Sequence, residues 1–136
     1  MKISLQSDTD TQDLFRQIEI LTNAANVTIS NISIDEKNKV ISIPMVRKHY
    51  ERKKGLLVES YKLSSSKLTE SELIIRDFIN YKIDDTLNLC DITLLFGVKI
   101  NNKEIYLSSV EEKSGKTAFD LFIKVNTYNL EFIDKE

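Results

Sequence analysis

Cysteine is nearly absent from this sequence: Cys90 is the only one, so the chain cannot form an internal disulfide. Only three glycines and one proline occur, and no stretch has the composition of a long flexible linker. No uncharged apolar run approaches the length of a membrane span, and no apolar segment follows a basic start as in a signal peptide. These absences predict a single domain over residues 1–136 in a reducing, cytoplasmic setting.

Neither sign of charge is in large excess, because 19 Lys and Arg stand against 21 Asp and Glu, a formal net charge of −2. So weak an overall field argues against general binding to nucleic acid or to a membrane, although a local basic patch could override it. Hydrophobic residues make up 41% of the chain, as in ordinary globular proteins. A chain of this size buries roughly two-thirds of the surface that its unfolded form exposes, so it needs no disulfide or metal to fold.

The clearest pattern lies at 92–110, where apolar residues alternate along two arms. Each arm is predicted to be a strand, because a strand places every second side chain on one face. Asn101 and Asn102 separate the arms, and Asn tolerates the positive φ that a two-residue hairpin turn requires. The first arm is predicted to carry one apolar face made of Ile92, Leu94, Phe96, Val98 and Ile100. The predicted register sets four pairs opposite one another: Val98 and Ile105, Phe96 and Leu107, Lys99 and Glu104, Gly97 and Tyr106.

A second hairpin is predicted over residues 27–47. Placing Ile34 opposite Ile41 gives it a continuous apolar face, with the turn over 36–39. Pro44 lies in the second arm and has no N–H for a ladder, so the stretch 41–47 is predicted to be an edge strand or to break at the proline. Such an edge could pair with a second copy of the chain across a two-fold axis, unless Pro44 prevents it.

Alternation resumes beyond residue 116. Setting Leu107 opposite Leu121 extends the hairpin at 92–110 into a three-stranded meander. The alternation changes phase at Asn126, which predicts a bulge or bend before a last strand over 128–132. This meander and the sheet that contains the hairpin at 27–47 each have one apolar face. The two apolar faces must therefore cover each other.

Two stretches carry helical signals. Over 11–25, apolar residues recur at helical spacing behind an acidic start, so a helix is predicted there. The stretch 68–83 is ambiguous, because its apolar residues alternate as in a strand while 69–72 have the form of a capping box; the strand is favoured. The predicted fold is therefore mainly β, an antiparallel β-sandwich or meander with one N-terminal helix. The alternative is an α+β fold with a second helix around 69–81.

Two stretches resemble a phosphate-binding loop and a calcium-binding loop, but each lacks a glycine that the motif requires. The stretch 114–117 (SGKT) resembles the end of a phosphate-binding loop, but Val110 stands where that loop needs a glycine, and an alternating strand follows. Asp8, Asp10 and Asp13 lack the glycine that a calcium loop requires between its ligands. Capping of the predicted helix explains these three residues better than metal binding.

Catalytic sets are not found either. His49 and Cys90 are the only residues of their kinds, too few for a structural zinc site and without a third member to orient a nucleophilic pair. Asp84, Asp85 and Asp91 could converge at one end of a sheet, but paired carboxylates catalyse hydrolysis only at the right separation. Solvated loop charges are the simpler interpretation. No metal or cofactor is predicted.

The one marked charge run is 47–55 (RKHYERKKG), predicted to be a hairpin loop. It could contact phosphates, a nucleic-acid strand with Tyr50 as a stacking surface, or an acidic protein. The plainer interpretation is a solvated loop whose lysines also block aggregation at a strand edge. A protein partner is favoured over nucleic acid because the chain as a whole is negative. The candidate binding residues are Arg47, Lys48, His49, Tyr50, Arg52, Lys53 and Lys54.

The function predicted from these features is non-enzymatic binding of a protein partner, a class of small proteins that includes antitoxins and immunity proteins. The alternative is a β module that binds a small ligand, either in an apolar pocket between the sheets or as an anion at the basic loop. A hydrolase-like enzyme that uses the loop carboxylates is the least favoured function.

Overall fold

The computed structural model describes residues 2–7, 12–54, 59–85, 92–111 and 114–135. This part of the chain is mainly antiparallel β-structure with one α-helix, so the predicted fold class is confirmed. The elements in chain order are β1 (Lys2–Ser7), α1 (Gln12–Thr22), β2 (Asn23–Thr28), a 3₁₀ turn (Ile29–Asn31), β3 (Ser33–Asp35), β4 (Val40–Lys54), β5 (Glu59–Arg76), β6 (Phe78–Asp84), β7 (Ile92–Phe96), β8 (Lys99–Asn101), β9 (Glu104–Glu111), β10 (Thr117–Val125) and β11 (Tyr128–Asp134).

The described strands join one sheet in the order β1-β11-β5-β4-β2-β7-β9-β10-β6, with β3 beside β4 and β8 beside β9. Two bends fold this sheet back on itself. One is at Asp77, whose φ of 58° separates β5 from β6, and the other is at 126–127, between β10 and β11. In each case two strands that follow one another in sequence lie far apart in the strand order. The two halves of the sheet therefore face each other, with the apolar side chains between them.

The core forms as alternation along the strands predicts. Leu107 of β9 pairs with Leu121 of β10, and both are fully buried. The phase change at Asn126 is confirmed, because the buried positions of β11 are the even-numbered Tyr128, Leu130 and Phe132. The buried apolar residues of the strands and of α1 form one cluster.

The helix α1 lies within the predicted range 11–25 and packs its apolar stripe over β8, β4 and β2. It ends at Thr22, because the chain takes a positive φ of 63° at Ala24 and continues as β2. The buried hydroxyl of Thr22 donates to the carbonyl of Ile18 at 2.6 Å and accepts the backbone N–H of Val98 at 2.8 Å. A hydroxyl can do both at once, so Thr22 joins the end of the helix to the segment between β7 and β8.

Beside this contact, Gly97 interrupts the strand. Its φ is +98°, a conformation that favours glycine, and a Cβ at this position would lie 2.8 Å from the carbonyl oxygen of Glu19 in α1. The interruption changes the phase of the alternation: Leu95 and Val98 are buried, whereas Phe96 is 53% exposed. The prediction of one continuous apolar face over 92–100 is therefore wrong in β7, where the buried residues are Thr93 and Leu95 rather than Leu94 and Phe96. It holds at Val98 and Ile100, which are buried.

The predicted register of this hairpin is also wrong, although the hairpin exists. The turn lies at Asn102 and Lys103, with φ of 51° and 61°, and it sets Ile100 opposite Ile105. Contacts from β10 and β11 hold the turn there. The N–H of Lys103 donates to the hydroxyl of Tyr128 at 2.8 Å, and the carbonyl of Lys103 accepts the N–H of Val125 at 2.9 Å.

The prediction of an edge strand at 41–47 is wrong. β4 runs unbroken through Pro44, between β5 on one side and β2 and β3 on the other. Across from Pro44 the chain leaves the ladder in the 3₁₀ turn that separates β2 from β3, so a residue without an N–H is tolerated there. A dimer formed by edge pairing of 41–47 does not fit this arrangement. The remainder of the hairpin is as predicted, with Ile34 opposite Ile41 and the turn at 36–39.

The favoured strand at 68–83 is confirmed, and the alternative of a second helix is wrong. β5 continues to Arg76, and β6 begins at Phe78. The side chains that resemble a capping box make contacts between strands instead. Ser71 bonds Asp134, and Glu72 accepts a hydrogen bond from the hydroxyl of Ser42 at 2.5 Å.

Candidate interaction surfaces

Residues 47–54 of the predicted basic loop belong to strand β4, and Gly55 lies outside the described residues. The pairing of β4 with β5 extends from Val40 and Arg76 to Lys54 and Glu59, with a register shift between Lys48 and Tyr50, whereas the pairing of the neighbouring strands stops short. β2 pairs with β4 at Val46, and the pairing of β11 with β5 ends at Ser71. Residues 48–54 and 59–68 therefore form a two-stranded ribbon that continues beyond the rest of the described sheet. We call it the β4–β5 ribbon.

The β4–β5 ribbon concentrates positive charge. Residues 48–67 hold six Lys and Arg and two Glu, a net charge of +4, in a chain whose total is −2. The remainder of the chain therefore carries −6. The candidate Lys48 is exposed. For the other candidates in β4 the structure describes the backbone: His49, Tyr50, Arg52, Lys53 and Lys54. The register sets Arg52 opposite Tyr61 and Lys53 opposite Ser60.

Arg47, the first of the candidate residues, points into the protein and is only 2% exposed. Its Nε and Nη2 donate to the two carboxylate oxygens of Asp134 at 3.0 and 2.7 Å. Ser71 donates to the same carboxylate at 2.6 Å, and Nη1 of Arg47 donates to the carbonyl of Lys48 at 3.0 Å. The charge of Arg47 is thus already paired, and the residue anchors the base of the β4–β5 ribbon to β11.

The pKa of Asp134 reflects opposing effects in this cluster. Partial burial raises the pKa, but the hydrogen bonds from Arg47 and Ser71 and the positive charge of Arg47 outweigh it. The pKa therefore lies below the ordinary value of 3.8. A second carboxylate fastens the same region: Glu72 lies 3.2 Å from Nζ of Lys135, and the hydrogen bond from Ser42 is the main cause of a lowered pKa.

Those of the other candidate residues that the structure describes are not assembled into a site. Asp84 is exposed at the end of β6 with Asp120 as its cross-strand partner, and Asp85 is half-buried. Asp13 is exposed near the start of α1. Asp8, Asp10, Cys90 and Asp91 lie outside the described residues. Within the described ranges no three His, Cys, Asp or Glu side chains are grouped as metal ligands would be.

The stretch 114–117 does not have the local structure of a phosphate-binding loop. Such a loop needs a helix N-terminus directly after it. Here Thr117 is the first residue of strand β10 instead. Gly115 has a φ of +69°, as a turn glycine does, and its N–H donates to the carbonyl of Glu111 at 2.9 Å.

A second surface, which the sequence prediction missed, lies on the outer face of the sheet. Tyr106 of β9 and Phe122 of β10 are neighbours across the two strands, and their rings stack with centroids 4.5 Å apart. Phe122 is 46% exposed. The register continues the row on both sides, with Lys99 of β8 next to Tyr106 and Lys82 of β6 next to Phe122. We call these four residues the aromatic row.

A row of opposite charge lies beside the aromatic row. It consists of Ser108 of β9, Asp120 of β10 and Asp84 of β6, which the register aligns, and we call it the acidic row. The hydroxyl of Tyr106 donates to Oδ1 of Asp120 at 2.8 Å and links the two rows. The signal that could have revealed this surface is the presence of Tyr106 and Phe122 at positions where alternation predicts polar side chains.

Two surface cavities among the described residues have charged residues in their lining. One of about 210 Å³ lies at the base of the β4–β5 ribbon, with Glu70, Ser71 and Lys135 among its lining residues. Another of about 490 Å³ lies beside α1, where Asp13, Arg16 and Glu19 contribute. Neither resembles the apolar pocket between sheets, which is one of the two sites that the small-ligand prediction offers.

α1 is the only helix longer than a single turn in the described residues, and it is too short to cross a membrane. Comparisons with protein-family models, with curated proteins and with solved structures found no match for this chain.

Proposed function

We propose that this protein is a non-enzymatic binding protein whose β4–β5 ribbon holds an acidic surface of a protein partner. The observation that carries the proposal is the separation of charge, because residues 48–67 carry +4 and the remainder of the chain carries −6. A positive arm on a negative body attracts an acidic patch and orients it during association.

The strand geometry of the ribbon supports a protein partner in a second way. Beyond Val46 and Ser71, β4 and β5 have each other as neighbours, and the described strands add no third one. An extended segment of a partner can therefore add to either edge of the ribbon through backbone hydrogen bonds. Acidic side chains on that segment would face the ribbon's lysines and arginines.

A nucleic-acid partner is less well supported. A nucleic acid presents phosphates along its whole length, and the −6 charge of the remaining chain repels those that extend past the ribbon. A small anion at the base of the ribbon is also less well supported. The cavity of about 210 Å³ is smaller than most ligand sites, and Glu70 contributes a negative charge to its wall.

The test is an affinity capture from the lysate of the native host, with partners identified by mass spectrometry. The wild type is compared with the triple variant Arg52→Glu, Lys53→Glu, Lys54→Glu. The matched control, Arg16→Glu, Lys37→Glu, Lys116→Glu, makes the same change in net charge at exposed positions away from the ribbon. We expect one acidic protein to be captured by the wild type and the control and to be lost with the ribbon variant.

Purified components then separate the ribbon's contribution from a general charge effect. The affinity of the captured partner for the wild type is expected to fall as salt is raised, because exposed charges are screened over about 10 Å at 0.1 M ionic strength. Equal loss of the partner with the ribbon variant and the control would show that net charge alone governs the binding. Equal capture by all three proteins would move the interface away from the ribbon.

A further inference from the structure

The outer face that contains the aromatic row is not used in the proposed function, yet its composition is unusual for a solvated sheet face. Phe122 is 46% exposed, and Phe96, at the end of β7, is 53% exposed. Phe96 follows the buried Leu95, which pairs with the buried Ser109, so Phe96 points outward in line with Ser108. Exposed aromatic side chains grouped on one face mark an interaction surface.

The charges on this face are balanced and ordered. Lys82 and Lys99 lie in the aromatic row, and the carboxylates of Asp84 and Asp120 lie in the acidic row next to it. The face therefore does not suit a phosphate backbone, which the acidic row would repel. It suits a surface with the same two rows in the reverse order, and a two-fold axis supplies such a surface from a second copy of the chain.

We propose that the outer face of β6, β7, β8, β9 and β10 is the interface of a two-fold symmetric dimer. The axis lies in the interface, perpendicular to the strands, between the aromatic row and the acidic row. This operation keeps each strand above its own counterpart and exchanges the two rows. Lys82 of one copy then lies over Asp84 of the second copy, and Asp84 lies over Lys82, which forms two equivalent ion pairs.

The same axis accounts for the exposed aromatic residues. Lys99 and Phe96 belong to the successive strands β8 and β7, which both lie against β9 on the same side. The exchange of rows therefore sets Lys99 of one copy over the ring of Phe96 in the second copy, a favourable cation–π arrangement. Phe122 lies between these outer contacts and loses its exposure to water when the two sheets meet.

The test reverses the charges at Lys82 and Asp84, both exposed residues at the sheet edge, and measures mass in solution by analytical ultracentrifugation over a range of concentrations. The wild type is expected to dimerise. Lys82→Asp and Asp84→Lys each place like charges over one another, so each is expected to raise the dimer dissociation constant at least tenfold. The double variant with both changes restores opposite charges and is expected to dimerise like the wild type.

Mixing the two single variants provides the decisive test of the dimer. An equimolar mixture of the Lys82→Asp and Asp84→Lys proteins is expected to form a heterodimer, because each copy supplies the charges that the other lacks. Lys37→Asp, at an exposed turn residue, is the matched charge control, and circular dichroism checks that every variant is folded. A wild type that stays monomeric at all concentrations, or a mixture that dimerises no better than its components, overturns the proposal.

The ribbon proposal and the dimer proposal can be overturned independently of each other. The ribbon variant Arg52→Glu, Lys53→Glu, Lys54→Glu is expected to dimerise like the wild type, since its changes lie outside the outer face. If that variant alone disrupts the dimer, the second copy contacts the ribbon and the proposed face is wrong.

Discussion

Arg47 and Asp134 are separated by 87 positions in the sequence and form a bidentate ion pair inside the protein. The side chain of Arg47 is 2% exposed and that of Asp134 is 13% exposed. The guanidinium also lies over the ring of Phe132, 5.9 Å from its centroid. The pair joins the middle of β4 to the end of β11 at the point where the β4–β5 ribbon leaves the sheet.

We expect the two halves of this pair to differ in their effect on stability. Asp134→Ala leaves the buried guanidinium without its partner and is expected to lower the free energy of unfolding by about 3–5 kcal/mol. Arg47→Met keeps apolar packing on Phe132 and leaves a carboxylate that is nearer to water, so a smaller loss of about 1–2 kcal/mol is expected. Urea unfolding at pH 7 measures both. Equal losses of stability would show that leaving the guanidinium of Arg47 unpaired costs no more than leaving the carboxylate of Asp134 unpaired.

The lowered pKa of Asp134 predicts a dependence of stability on pH. Because the folded-state pKa lies below the unfolded-state value, the stabilisation is fully present above the ordinary value of 3.8 and is lost as the pH falls through the lower folded-state pKa. The free energy of unfolding is therefore expected to drop between about pH 5 and pH 2. Asp134→Asn removes this titration, so its curve is expected to be flatter than that of the wild type in urea unfolding at several pH values.

Gly97 is expected to tolerate no side chain. Gly97→Ala forces an L residue into a φ of +98° and places its Cβ 2.8 Å from the carbonyl oxygen of Glu19, so a loss of more than about 2 kcal/mol is expected. Gly115→Ala is the matched control, because φ is also positive there but the Cβ meets nothing within 4 Å. The control is expected to lose about 1 kcal/mol by thermal or urea unfolding. Similar losses at both positions would mean that α1 can shift away from Gly97.

The hydroxyl of Thr22 is expected to matter more than its methyl group. Thr22→Val keeps the shape but leaves the N–H of Val98 without its acceptor in a buried place, which is expected to cost about 1–3 kcal/mol. Thr22→Ser keeps the hydroxyl and is expected to be closer to the wild type. Hydrogen exchange at the amide of Val98 provides a local measure, and unchanged protection in Thr22→Val would contradict the proposed bond.

The candidate site was only partly predictable from sequence. A run of Lys and Arg is visible in the composition of 47–54, but whether it forms a loop or a strand depends on its pairing with β5. The burial of Arg47 depends on Asp134, at the other end of the chain. The aromatic row becomes a row only when β8, β9, β10 and β6 are aligned, and the strands β6 and β10 are distant in sequence.

The sequence by itself determined those features whose energy is local. Alternation places Leu107 and Leu121 on the core face, because neighbouring side chains of a strand point to opposite sides. The turn at 36–39 is likewise local, since the carboxylate of Asp35 accepts the N–H groups of Lys37 and Asn38 at 3.1 and 3.0 Å. Helical spacing was sufficient to locate α1 for the same reason.

The tertiary structure alone decided where these regular elements are interrupted. Contact with α1 requires a glycine backbone at Gly97, and across it the buried positions change from Thr93 and Leu95 to Val98 and Ile100. Bonds to Tyr128 hold the turn at Asn102 and Lys103, one residue beyond the position that Asn101 and Asn102 predict. Each interruption is stabilised by residues far away in the chain, and the energy of such contacts depends on packing geometry that a local pattern does not contain.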